Sequence, residues 1–407
     1  MFVRDVYSEA EEEMMRAWRE RAVRFVGWVG EEVTSDFPYP VNHRVATKEL
    51  ILHHACAADY KNPLWRDEKY ARNTRWGGII APPFFLHSVS AGPFYYLEVP
   101  QEVGVYVGEY IGEFWEFFKP IYINDSFKVW CGMPELIDIT RSGAQEERRL
   151  KTYTNFHYYN QKDEHVGSFH RTGITLILPP GTEVGNVFRP GAEYMPETQK
   201  FKMKFTEDYV YTDAELEAID RMYDAEEIRG AEIRWWEDVE IGERLKPVVM
   251  GPLTTWDMVV EIQGHGVANL PMMEARRLLR DSVMVVPDPA TNILRKGIEI
   301  HLSDKVAKAA GFYSTTIDQL TIEHFLSRLV TNWAGDDGFL RSFEWIKLLN
   351  TPIGDTIFGN GKVVNKYVNE KGEHLVAIDT WIETNRGYIS NTATVTINLL
   401  SREKLLG

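Results

Sequence analysis

Apolar positions recur at helical spacing at the start of the chain. Met14, Met15, Trp18, Ala22, Phe25 and Val26 line one side of residues 8–26, which predicts an amphipathic helix. Ser8 with Glu11 reads as a capping box that satisfies two N–H groups at its start. Pro38 and Pro40 break the chain beyond it, and Thr47–Ala58 is predicted helical again, with Leu50, Ile51, His54 and Ala55 on one side. Asn62-Pro63 should turn the chain, because proline drives the preceding residue out of the helical region. Arg66–Asn73 can make a short helix. Ile79–Val89 is apolar nearly all round, which predicts a buried helix.

From Val105 to Leu178 the pattern changes to alternation. An aromatic-rich run from Gly108 leads to a turn at Asn124-Asp125, after which Phe127, Val129 and Cys131 alternate with polar positions. Lys151–Asn160 and Val166–Ile177 read as two further strands around a turn at Gln161–Glu164, so the segment predicts an antiparallel sheet. Pro179-Pro180-Gly181 ends it. Thr212–Arg229 reads as a helix, with Thr212 and Glu215 as a second capping box and Gly230 as its stop. The second half then repeats the first. Phe343–Thr356 echoes Phe114–Ser126, and Asn365–Tyr367, Leu375–Thr384 and Tyr388–Leu399 reproduce the terminal strands. A repeat of this size predicts two copies of one fold: a first unit at 1–180, a linker with a helix at 181–230, and a second unit at 231–407.

Composition narrows the function. The chain has 407 residues, room for two cores, and is 44% hydrophobic and 26% charged. A net charge of −15 argues against binding nucleic acid through bulk charge. Cys56 and Cys131 are the only cysteines, too few for a disulfide framework or a zinc cluster, and they fit a reduced cytoplasmic setting. Glu9, Glu11, Glu12 and Glu13 are wrong for a secretory or transit signal. No apolar run approaches the roughly 18 residues of a membrane span. There is no His-Glu-x-x-His, cysteine pair or P-loop, so no metal site is expected.

The stretch from Asp59 to Phe84 carries a more specific signal. Asn62-Pro63-Leu64, Asp67, Ala71, Gly77, Gly78, Ala81 and Pro82 resemble the hydration motif of the MaoC-like acyl dehydratases, the (R)-specific enoyl-CoA hydratases, which have the hotdog fold. Two positions depart from that motif. Trp65 stands in the place of the family's catalytic histidine. Tyr60 stands in the place of its acid, with Asp59 one residue early. The resemblance implies that this copy binds, with Asn62, Trp65, Gly77, Gly78 and Ile79 toward substrate. In the second unit, His301 lies six residues before Ala307, as Trp65 lies six before Ala71. That register puts His301 on the family's catalytic histidine, but the acid position is Lys296 and the Asn-Pro is missing. Asp304 and Glu299 are the nearest carboxylates in sequence and are expected to complete the catalytic set. Asp318 is a further candidate that folding could bring in. Trp333 with Asp336-Asp337 reads either as a helix end packed on the core or as part of the acyl pocket, and Trp333 joins the expected substrate-binding set.

The resemblance covers nearly the whole chain and implies an α+β, double-hotdog fold, two antiparallel sheets each wrapped around a central helix. It implies a hydratase or dehydratase that adds water to an enoyl-CoA or removes it from a 3-hydroxyacyl-CoA. Coenzyme A would enter only as part of an acyl-CoA substrate, with no other cofactor and no nucleic-acid or membrane partner, in a cytoplasmic homo-oligomer. The altered motifs keep two alternatives open: a hotdog thioesterase, or a protein with lost or altered catalysis acting on a ligand that is not a CoA ester.

Overall fold

The computed structural model describes residues 7–23, 26–28, 43–90, 99–100, 102–140, 148–178, 180, 192–195, 200–203, 208–265, 285–288, 290–309, 312 and 314–405. Eleven strands make one sheet: β1 (Gly27–Trp28), β2 (Val105–Phe117), β3 (Phe127–Cys131), β4 (Glu135–Asp138), β5 (Arg148–Asn160), β6 (His165–Leu178), β7 (Val248–Met250), β8 (Phe339–Lys347), β9 (Ile357–Val368), β10 (His374–Thr384) and β11 (Ile389–Asn398). Its order is β1-β3-β5-β6-β2-β8-β11-β10-β9-β7, with β4 also on β5, and every pairing is antiparallel. The predicted alternation is realised in β3, where Phe127, Val129 and Cys131 are buried and Lys128 and Trp130 are exposed.

The two halves of the repeat meet in the middle of this sheet. β2 pairs with β8, placing Trp115 opposite Phe343 and Gly112 opposite Ile346. A Cβ on Gly112 would lie 2.4 Å from the carbonyl oxygen of Trp345, so the backbones approach more closely there than any larger residue allows. Two short strand pairs stand apart, Ala192–Met195 with Lys200–Met203 and Val285–Pro287 with Leu294–Lys296.

The helices that frame the sheet and the site are α1 (Glu9–Val23), α2 (Lys48–Ala58), α3 (Glu68–Ala71), α4 (Leu86–Val89), α5 (Asp213–Asp224), α6 (Thr255–His265), α7 (Asp304–Ala309) and α8 (Gln319–Ala334). α1 starts at the expected capping box and buries Met14, Met15, Trp18 and Ala22. It stops at Val23, so Val26 lies beyond it and is exposed, and Phe25 is outside the described residues. Glu11, also buried, accepts from Arg148 at the start of β5 at 2.5 Å. Arg148 donates to Asp138 of β4 at 2.6 Å, and Tyr7 donates to the same carboxylate at 2.7 Å. A buried ionic knot therefore ties α1 to the sheet.

α8 is buried along nearly its whole length. It lies over β9, β10 and β11 on one side and against α2 on the other, where the rings of His54 and His324 stand 4.9 Å apart. Two predicted helices come out shorter. Between Ile79 and Val89 only Leu86–Val89 is α-helical. Ile80 bridges Tyr122 as extended chain, Pro82 and Pro83 lack an N–H, and Phe84 adopts φ 66. α5 has its capping box but ends at Asp224. The chain then turns so that Glu226, whose side chain is covered, can meet Lys61, Arg328 and Asn332 at 2.8, 3.1 and 3.0 Å. Among the described residues no helix is long and apolar enough to cross a membrane.

Candidate active site

The best-formed acid–base geometry lies at the start of α8. Residues Gly297–His301 form a 3-10 turn that leads through Ser303 into α7. Asp304 at the start of α7 accepts from the N–H and hydroxyl of Thr315 at 2.9 and 3.2 Å. That contact holds the 314–317 segment against α7, and a bridge from Thr316 to Pro352 holds its other side. His301 lies against this segment with Nδ1 2.8 Å from the Thr316 carbonyl oxygen. A carbonyl only accepts, so Nδ1 carries the hydrogen and the Nε2 lone pair is left for other work.

Nε2 faces Asp318 Oδ2 at 3.8 Å. This is too long for a direct hydrogen bond, and a water touching both atoms fits such a span. Asp318 is the N-cap of α8, its other oxygen accepting from Leu320 N–H at 3.2 Å. The cap fixes its orientation, and the helix dipole favours its charge. The side chains of His301 and Asp318 are 16% and 9% exposed, so the pair is sheltered yet reachable. Thr321 stands three residues on, on the same helix side, and its buried hydroxyl has no partner among the described residues.

The first unit presents a different arrangement. Asn62 caps a 3-10 turn over Pro63–Trp65 by accepting from Leu64 N–H at 3.0 Å. Trp65 is buried, and its indole N–H donates to Asp59 Oδ2 at 3.2 Å. Asp59 therefore reaches residue 65 despite sitting one place early in sequence. Burial holds its carboxyl above the usual range, and the Arg328 guanidinium opposes that shift. An indole donates but cannot accept a proton, so Trp65 cannot act as a base. Gly77, at φ 68, and Gly78 have open space where a Cβ would stand, while Ile79 is buried. The loop rests on the far end of α8: Trp76 and Tyr70 donate to the carbonyl and carboxylate of Asp336 at 2.7 and 2.6 Å.

Known proteins agree with this architecture. Residues 28–168 match the family described as "FAS1-like, dehydratase domain region". Among solved structures, a MaoC-like dehydratase aligns with a TM-score of 0.57 at 15% identity, covering 88% of this chain and 96% of its own. A putative MaoC domain protein dehydratase from Chloroflexus aurantiacus J-10-fl gives 0.50 at 14% identity over 89% and 94%. The chain shares the fold of these MaoC-like dehydratases, a double hotdog. A conserved hypothetical protein from Mycobacterium tuberculosis, described as having a double hotdog fold, gives 0.46 at 10% identity over 88% and 93%. No curated protein matches the sequence.

Within this double hotdog the residues singled out from sequence fall into two groups. His301, Asp304 and Glu299 lie before α8, whereas Asn62, Trp65, Gly77, Gly78 and Ile79 belong to the loop region that meets its other end. Trp333 is fifteen residues beyond Asp318 on α8, about 22 Å along the axis. Its indole donates to Glu243 at 2.9 Å, with Arg234 over the ring. Asp304 is engaged with Thr315, and Glu299 pairs with Arg295 at 3.1 Å. The carboxylate brought to His301 is Asp318. Its sequence signal was an aspartate just before a long apolar helical run, the mark of an N-cap.

Proposed function

We propose that the chain is an acyl-thioester hydratase or dehydratase whose acid–base pair is His301 and Asp318. The observation that carries this reading is the 3.8 Å approach of His301 Nε2 to Asp318 Oδ2 with Nδ1 fixed on the Thr316 carbonyl. The dehydratase match over residues 28–168 supports the same reaction class.

Hydration of an enoyl thioester needs a base that takes a proton from water as its oxygen adds to Cβ, and an acid that protonates Cα. His301 Nε2 takes the first proton, and Asp318 orients the water. The electrons pass to the thioester oxygen, where N–H groups in the first turn of α8 and the Thr321 hydroxyl can stabilise them. Return of the proton to Cα completes the addition, and the reverse order is dehydration. Coenzyme A enters as part of the substrate, and the chemistry calls for no other cofactor.

Mass spectrometry of the protein incubated with short, branched and aromatic enoyl-CoA thioesters tests the proposal. Gain of one water by a thioester, lost in His301→Ala and Asp318→Asn, supports it. Release of free coenzyme A instead makes the protein a thioesterase. No change with any thioester removes acyl-CoA as the substrate class.

A further inference from the structure

The densest group of buried ionisable side chains is not at His301 but at the seam of the two units. His87 of α4, Glu113 of β2, Arg171 of β6 and Glu323 of α8 are each at most 3% exposed. Their oxygens are sorted by partner. Glu113 Oε1 takes Arg171 at 2.6 Å, and Glu323 Oε1 takes the indole N–H groups of Trp115 and Trp345 at 3.0 and 2.8 Å. Both Oε2 atoms face His87 Nε2, Glu323 at 2.8 Å and Glu113 at 3.7 Å. Trp115 also donates to Glu113 Oε2 at 3.1 Å. Tyr158 of β5, stacked on Trp115, spends its hydroxyl on the Ser90 carbonyl. Beside the group, on α8 and α6, His324 and Glu261 form a second buried pair at 2.9 Å, with the His54 ring against His324.

Charge decides what this site holds. Two carboxylates face one guanidinium, so with His87 neutral the four groups carry one uncompensated negative charge, which is expensive to bury. The donor atoms of His87, Glu113 and Glu323 lie within 4.8 Å of one another, close enough for a metal ion. A divalent cation would, however, turn one excess negative charge into one excess positive charge beside Arg171. A single proton leaves none.

We propose that the seam cluster binds one proton, shared among His87, Glu113 and Glu323, and that the packing of the first unit against α8 is tightened by that proton. It belongs to the group and not to one residue, as expected for closely coupled sites. Burial pushes both glutamates up to about 7, which puts release of the proton in the neutral range. A carboxyl whose folded-state value is raised contributes stability that is complete below its ordinary range, near 4.3. That contribution is lost as pH rises through about 7. The seam therefore loosens on the alkaline side.

Unfolding free energy measured from about pH 5 to 8 tests this. Below the transition near pH 7 the wild type should bind one more proton when folded than Glu113→Gln or Glu323→Gln, so their folding equilibria diverge tenfold per pH unit there and run parallel above it. Either substitution alone should remove the dependence, because one remaining carboxylate balances Arg171. Exposed Glu344→Gln should leave it intact. If Glu323→Gln fails to fold, Glu113→Gln carries the comparison. An unchanged slope in a folded variant overturns the proposal. So does one equivalent of a divalent metal retained by the wild type and lost in the variants, found by elemental analysis.

Discussion

At the scale of the residue, the site turns on which carboxylate serves His301. Asp318 and Asp304 both end in carboxylates near the same segment, and both cap a turn or segment through one oxygen. Asparagine keeps a capping oxygen but loses the charge, so one substitution separates the roles. Asp318→Asn should fold with nearly unchanged Tm and lose about 10²–10⁴-fold in hydration rate, read by the thioester assay. Asp304→Asn should keep both the Tm and the rate. Trp333→Phe should keep the rate and lose about 1 kcal/mol of stability with the hydrogen bond to Glu243, measured by denaturant unfolding. The spacing to Ala307 singles out His301 in the sequence, whereas Asp318 stands there only as a further candidate behind Asp304 and Glu299. Asp318 lies seventeen residues on, and only the return of the 314–317 segment over α7 brings the two together.

At the scale of the element, caps and ion pairs explain where helices begin and stop. Both predicted capping boxes form, and both set the start of a helix within one residue. The ends were harder to read. Gly230 has the left-handed φ of a helix stop, yet α5 ends five residues earlier than the expected Arg229, where Glu226 turns in to its three partners. Ile79–Val89 looked helical because its apolar character is continuous, a feature that a buried extended segment shares. The knot between α1 and the sheet gives a sharp test. Arg148 is 1% exposed, so Arg148→Met leaves the Glu11 and Asp138 carboxylates without their cation. It should cost about 3–5 kcal/mol in thermal or denaturant unfolding, whereas exposed Arg16→Met should cost almost nothing.

At the scale of the whole molecule, one antiparallel sheet runs through both units, and its midpoint is the pairing of β2 with β8. The repeat foretold two copies, and alternation foretold the strands within each. Neither could say that Phe114 and Phe343, the starts of the repeated segments, would lie on neighbouring strands. Edge pairing between distant strands leaves no local periodicity. Gly112 marks the tightest point of the seam. Gly112→Ala would push a methyl group into the Trp345 carbonyl, and because both sides are backbone, neither yields cheaply. The expected outcome is a loss of about 1–3 kcal/mol and a lower Tm, with the spacing between the units disturbed first.

The seam also bears on how the two motifs came to differ. In a pair of identical hotdog subunits, a substitution appears in both members at once, so tryptophan in place of the catalytic histidine would silence both sites together. Here both copies are written into one chain and held one-to-one by β2 and β8. Each can therefore change alone. The first copy carries Trp65 and is fastened to the far end of α8 through Tyr70 and Trp76, while the second carries His301. One covalent chain thus holds two unlike copies of the same stretch, and a change in one leaves the other as it was.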